Sequence, residues 1–462
     1  MEISLPEIGL REMEWPLFGS VPAPVEPTAV ELENRLDRVR ARMEQRGLTH
    51  LLVYGDKEHF ANLWWLTNFD PRFEEALLVL RLDAAPLLLI GNECQAYIAI
   101  SPLAKTGSLR TECYQPFSLA SQPRDRSREL REILRAEGVN AAARVGCVGW
   151  KSYSSDGEMD TPAYLVDAAR ALAGAVKVRC ATDLFIHPGY GLRAQCGATE
   201  IALFERNNWK ASEAMKRVLM AVRPGMRDSE MLQAAGYDGT PLSCHMTCKT
   251  GPHRISLASP REDRAQPGYP WSANIGYWGS NICRAGWVAE SEAELPAKAQ
   301  GYVKEFAAPY FRAMARWLGM MRIGTPGGAI HAMIQELLPF EEFGIFLNPG
   351  HLIHGEEWLS SPIYKGSDIP IASGMVMQSD VIPSSGRFGS TRMEDGYAIA
   401  DAALREELGA RFPDCAARCQ ARRAFLANKM GIDLPGEVLP LSNLCGRMIP
   451  FALKPQVTLA PY

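Results

Sequence analysis

The stretch Gly268-Tyr-Pro-Trp-Ser-Ala-Asn274-Ile-Gly-Tyr-Trp-Gly-Ser-Asn281-Ile-Cys-Arg284 decides how the rest of the chain is read. Its β-branched and aromatic residues, punctuated by glycines, predict two short strands joined in a hairpin. Period-two alternation puts Asn274 and Asn281 at inward positions. Two inward amides are unusual there, because carboxylates hold divalent cations through a formal charge that an amide oxygen lacks. The chemistry expected of the chain turns on that substitution.

Similar phrases flank the hairpin. Upstream, apolar or small residues at Ile201, Phe204, Ala211, Met215, Val218 and Val222 follow helical spacing and end in Arg223-Pro-Gly225, with Asp228 or Ser229 placed to cap a second helix. Downstream, Val303, Phe306, Tyr310, Met314, Trp317 and Met321 form a second stripe that ends in Arg322-Ile-Gly324. Thr325 is a cap and Pro326 suits a first helical position. A helix, an Arg-x-Gly turn, a second helix and then strands, occurring twice, predict two similar halves around one site over residues 191–402. Before them, strand-like runs at 50–54, 76–82, 86–90, 145–148 and 176–180 alternate with helical stretches, which predicts an α/β domain over 31–190. Residues 1–30 carry five prolines and read as an extended arm; residues 403–462 read as a C-terminal extension, helical to Met430.

The totals bound the function. A chain of 462 residues, 47% hydrophobic and 22% charged, with a net charge of −4, is a multidomain globular protein without the basic excess that nucleic acid or an anionic membrane would attract. No apolar run approaches the ~20 residues that span a bilayer, and a cytoplasmic location is expected. Eleven scattered cysteines favour free thiols.

Polar groups gather in the second half: Thr-Gly-Pro-His253, Asn274, Asn281, Pro-Gly-His351, Gly374-Met-Val-Met-Gln-Ser-Asp380 and Thr-Arg392-Met-Glu394-Asp395-Gly. In this order they resemble the creatinase / Xaa-Pro aminopeptidase superfamily, and the resemblance covers nearly the whole chain. It implies a creatinase-like α/β N-terminal domain followed by an α+β "pita-bread" catalytic domain with internal pseudo-two-fold duplication. In metal-dependent members two Asp, one His and two Glu hold a pair of ions that activate water. Carried onto this sequence, the His is His351, the Glu positions are Asp380 and Glu394, and both Asp positions fall on Asn274 and Asn281. Two ions would bring +4 against the −2 of Asp380 and Glu394, so no dinuclear centre is expected. A single divalent ion on His351, Asp380 and Glu394 is the alternative, and otherwise no cofactor is expected.

The resemblance to the metal-free creatinase branch implies catalytic roles for His253, His351 and Glu394, with His253 exchanging the proton. Asp380, Asn274, Asn281, His354, Arg72 and Phe73 then form the substrate-binding set. Cys283 departs from that branch, which has a glutamate there. The leading expectation is a hydrolase that cleaves a C–N bond in a small N-substituted amino-acid-like or amidine substrate. The alternatives are an Xaa-Pro-type metallopeptidase and a non-catalytic pita-bread binding protein. A homodimer is expected, in which the segment Phe69–Phe73 completes the partner's pocket.

Overall fold

The computed structural model describes residues 7–252 and 258–461. It divides into two compact units, Glu26–Ala194 and Gln195–Tyr462, the latter joined by the segment up to Val25. The first described strand, β1 (Ile8–Glu12), therefore belongs with the end of the chain and not with the residues that follow it.

Within Glu26–Ala194 six strands form one mixed sheet. They are β2 (His50–Gly55), β3 (Ala76–Arg81), β4 (Leu87–Ile90), β5 (Arg110–Cys113), β6 (Val145–Val148) and β7 (Val178–Cys180), in spatial order β5-β4-β3-β2-β6-β7. Central β2 is buried along its whole length, as a strand covered on both faces must be, and its sequence is almost continuously apolar. Only β5 was not anticipated. Its sequence Arg-Thr-Glu-Cys carries no apolar alternation, because it lies at the sheet edge. Trp64 and Trp65 lie in a fully buried helix, Ala61–Thr67, that ends on Asn68 in the left-handed region.

In the larger unit the two halves each follow the expected path. Helix Ala198–Ala221 is succeeded by a turn at Gly225 (φ 87°), helix Asp228–Gln233 and the strands β8 (Thr247–Thr250), β9 (Tyr269–Tyr277) and β10 (Ser280–Val288). A π-helical turn at Val303–Ala307 leads into helix Ala308–Met320, a turn at Gly324 (φ 91°), helix Gly327–Leu337 and then β11 (His351–Leu352) and β12 (Val376–Gln378). The correspondence extends to single hydrogen bonds: Gly225 N–H donates to Ala265 O, and Gly324 N–H to Ile371 O. The caps differ from expectation by a residue or so. The flanking positions are Arg227 and Pro326, and the buried Asp228 carboxylate accepts from the backbone amides of Arg261 and Glu262.

A short ribbon, β13 (Ser384–Ser385) with β14 (Gly389–Ser390), precedes β15 (Arg392–Glu394) and β16 (Gly396–Ile399). Two four-stranded antiparallel sheets result, β15-β10-β9-β8 and β11-β12-β16-β17, where β17 is Val438–Pro440. The stretch after residue 402 is thus more than an appendage. Its helices Ala402–Arg411 and Pro413–Met430 lead into β17, and β18 (Val457–Pro461) pairs with β1, so one part of the expected N-terminal arm, Ile8–Glu12, is a strand.

Candidate active site

The hairpin β9–β10 sets the floor of the site. Cys283 pairs with Asn274 on one side and with Glu394 on the other, so one row across the sheet reads Glu394, Cys283, Asn274, Thr247, all on one face. Asn281 lies two residues from Cys283 on the same face, as the alternation predicts. The opposite face carries Arg284, which reaches the buried Asp395 carboxylate at 2.8 Å.

The second half brings His351 and Asp380 to this row. Gly350 at φ 109° is needed before His351, because a Cβ there would lie 2.8 Å from the Trp317 ring, whose indole N–H donates to Pro349 O. Asp380 is stitched beside β15 through Ser379, whose hydroxyl donates to Met393 O and whose N–H donates to Asp395 O. His351, Asp380 and Glu394 are all buried, and one ligand atom from each lies within 4.8 Å of the others.

Glu357 completes the group and was not anticipated. Its Oε1 is 3.4 Å from His351 Nε2 and accepts from Asn281 Nδ2 at 3.2 Å. The same Asn281 nitrogen donates to Glu394 Oε1 at 2.7 Å. Carboxylates only accept, so the amide presents its nitrogen to them and its oxygen is turned away, where it is buried without a partner. The only hint in the sequence is the pair Glu356-Glu357 shortly after Pro-Gly-His351, in an irregular segment with no period to read.

The protonation pattern follows from burial and crowding. Burial, reinforced by Asp380, Cys283 and Glu357, holds the Glu394 carboxyl well above the ordinary range. Burial also raises Asp380, although His351 pulls against it. For His351, burial works downward but is outweighed by Glu357 and Asp380, so its pKa is raised. Burial likewise pushes Glu357 up, yet His351 and Asn281 outweigh it and its carboxyl is held low. Three carboxylates and an imidazole in so small a volume must share protons or hold a cation.

The group passes a test for one divalent ion. His351 Nδ1 carries a proton to bond the Leu352 carbonyl at 3.1 Å, so Nε2 is the nitrogen turned to the carboxylates, where a cation would take the place of the proton that their charge favours. That Nε2 and Asp380 Oδ1 are buried with no hydrogen-bond partner. The donors suit one ion, and its +2 together with the Arg392 guanidinium nearby balances three carboxylates. A second ion does not fit as well, since the Asn281 amide hydrogens occupy the space between Glu394 and Glu357.

The other expected site residues are distributed more widely. Asn274 donates to the Cys244 thiol at 3.5 Å. His354, expected to touch substrate, is fully buried; its Nδ1 accepts from Gly355 N–H and its Nε2 bonds Glu200 at 3.0 Å, so both ring nitrogens are used within the unit. Arg72, in the other unit, stacks over Tyr97 and donates to its hydroxyl at 2.9 Å, while neighbouring Phe73 is exposed. His253 lies outside the described residues.

Neither protein-family models nor curated proteins yield a sequence match. Solved structures do match in fold. The dipeptidase PepE from Mycobacterium ulcerans aligns with 80% of this chain and 94% of its own, with a TM-score of 0.61 and 18% identity. The Xaa-Pro dipeptidase from Bacillus anthracis aligns with 80% and 96%, with a TM-score of 0.61 and 15% identity. The N-terminal domain of the FACT complex subunit SPT16 from Cicer arietinum aligns with 82% and 95%, with a TM-score of 0.57 and 13% identity. The protein therefore has the pita-bread fold that these structures share. Chains sharing that fold include peptidases by name and a subunit of a larger complex, so activity has to be argued from the site.

Proposed function

We propose that the protein is a hydrolase that cleaves a C–N bond in a small amide or dipeptide-like substrate, with one divalent ion held by His351, Asp380 and Glu394. The observation that carries this reading is the buried pair of unpartnered ligand atoms, His351 Nε2 and Asp380 Oδ1, in a cluster crowded with carboxylates. When bound, the ion would polarise the scissile carbonyl and acidify a water. Glu357, held ionised and with its side chain 26% exposed, is placed to accept a proton from that water. Asn281 keeps Glu357 and Glu394 apart and oriented.

Metal content provides the test. After loading with manganese, cobalt or zinc, elemental analysis is expected to give one ion per chain, lost in His351→Ala, and hydrolysis of a panel of proline dipeptides and N-substituted amino acids should stop on chelation. Two tightly held ions would overturn the mononuclear site. Activity that survives complete chelation would favour the second reading, a metal-free creatinase-like hydrolase, which rests on asparagine at both family aspartate positions.

For the assembly we propose a cytoplasmic homodimer in which Arg72 and Phe73 reach the partner's pocket. Among the described residues no helix is long and apolar enough to cross a membrane. Arg72 sits at φ 59° and is steadied by Tyr97 and by Asp70 at 3.5 Å, with about half its side chain open to a substrate carboxylate. Arg72→Ala should weaken substrate binding by about 1.5–3 kcal/mol with little change in stability. Mixing it with His253→Ala should restore activity, because a mixed dimer has one pocket free of both lesions; no recovery despite subunit exchange would refute the shared site.

A further inference from the structure

His351 is the nitrogen donor of the His351, Asp380 and Glu394 cluster, and its ring has to be held before it can serve. The last side-chain torsion of a histidine has only broad minima, so the plane of the imidazole is fixed by what packs against it. A ligand whose plane wanders presents its lone pair to a cation for only part of the time. The Nδ1 bond to Leu352 O supplies some restraint, but that carbonyl belongs to the next residue and moves with the histidine.

Further restraint comes from one irregular segment, Glu357 to Leu359. Trp358 lays its indole over the imidazole, with ring centroids 4.1 Å apart and planes 15° from parallel. Glu357 Oε1 lies 3.4 Å from Nε2, and Leu359 N–H donates at 2.9 Å to Leu352 O, the carbonyl that also accepts from Nδ1. The segment is in turn tied down beside His351: Leu352 N–H donates to Ser360 O and the Ser361 hydroxyl to Gly350 O, both at 2.7 Å. Among these contacts the indole alone bears on the face of the ring, and so resists its rotation. His351 is fully buried whereas Trp358 is partly exposed, so the indole can be cut back without opening the core.

We propose that Trp358 is a positioning residue for His351, holding the imidazole plane so that Nε2 meets the ion. The role toward an ion rests on the single-ion reading of the site; the hold on the ring rests on geometry alone.

Two measurements on the full chain test it. In metal-free protein labelled with nitrogen-15 histidine, the Nδ1 proton of His351, assigned by its loss in His351→Ala, is expected to exchange slowly in the wild type and in Trp358→Phe, which keeps a flat ring, and to be lost to exchange in Trp358→Ala. In calorimetric titration with zinc, Trp358→Ala should bind about 10- to 100-fold more weakly than the wild type, and Trp358→Phe within about threefold of it. Circular dichroism confirms that each variant is folded. A folded Trp358→Ala chain with the slow proton and wild-type zinc affinity would overturn the proposal, as would Trp358→Phe as impaired as Trp358→Ala, or a wild type without the slow proton. The expected proton pattern in a wild type that takes up no zinc would overturn the single-ion reading and support the hold of Trp358 on the ring.

Discussion

Glu394→Gln is expected to lower kcat/KM for C–N hydrolysis by about 10²- to 10⁴-fold, the range typical of removing a group that handles protons at the reacting centre. Glutamine keeps the shape and can still accept from Asn281, which now bonds Glu394 at 2.7 Å, so the fold should persist. What is lost is the charge that holds a cation and the proton-binding capacity that burial and Asp380 have driven up. Steady-state kinetics on the metal-loaded enzyme, beside elemental analysis, checks this. An unchanged rate would remove Glu394 from the chemistry.

The largest effect on stability is expected at Arg284, one residue from the catalytic row but on the reverse face. Its guanidinium donates to Asp395 Oδ2, Cys283 O, Glu394 O, Arg447 O and Leu444 O, all at 2.8–2.9 Å, and it is completely buried. Arg284→Ala removes these donors and leaves Asp395 as an uncompensated buried carboxylate, at a cost of about 3–5 kcal/mol. Lysine should not rescue it, because a point charge cannot fill a fork of five acceptors. The double change Arg284→Met with Asp395→Leu should recover part of the loss, since no charge is then stranded. Urea unfolding curves measure all three; a loss below about 1 kcal/mol in Arg284→Ala would refute the account.

Local periodicity carried much of this structure in the sequence. The two long helices and their Arg-x-Gly turns were legible because burial on one helix face leaves a three-four spacing. Asn274 and Asn281 were placed on one face because strands alternate. Glu357 escaped because it stands in an irregular segment, where nothing in the order of residues tells which way a side chain turns. The charge count drawn from Asp380 and Glu394 alone accordingly left out one neighbouring carboxylate. The surroundings of His354 were hidden for a related reason: its proximity to His351 in sequence gives no sign of its partner, Glu200, on a helix far away in the chain. The final strands were invisible as well, since the partner of Val457–Pro461 is Ile8–Glu12 at the other end of the chain.

That last pairing imposes an order on synthesis. The strand Ile8–Glu12 is synthesised about 450 residues before its partner, and at about 5–20 residues per second the wait runs to tens of seconds. During that interval Glu26–Ala194 has every strand of its sheet available and can fold, while the nascent larger unit carries an unpaired edge with Ile8 and Leu10 uncovered. A chain that stops before Val457 would therefore keep all its cluster residues and lack its closing ribbon, a natural substrate for chaperones and proteases.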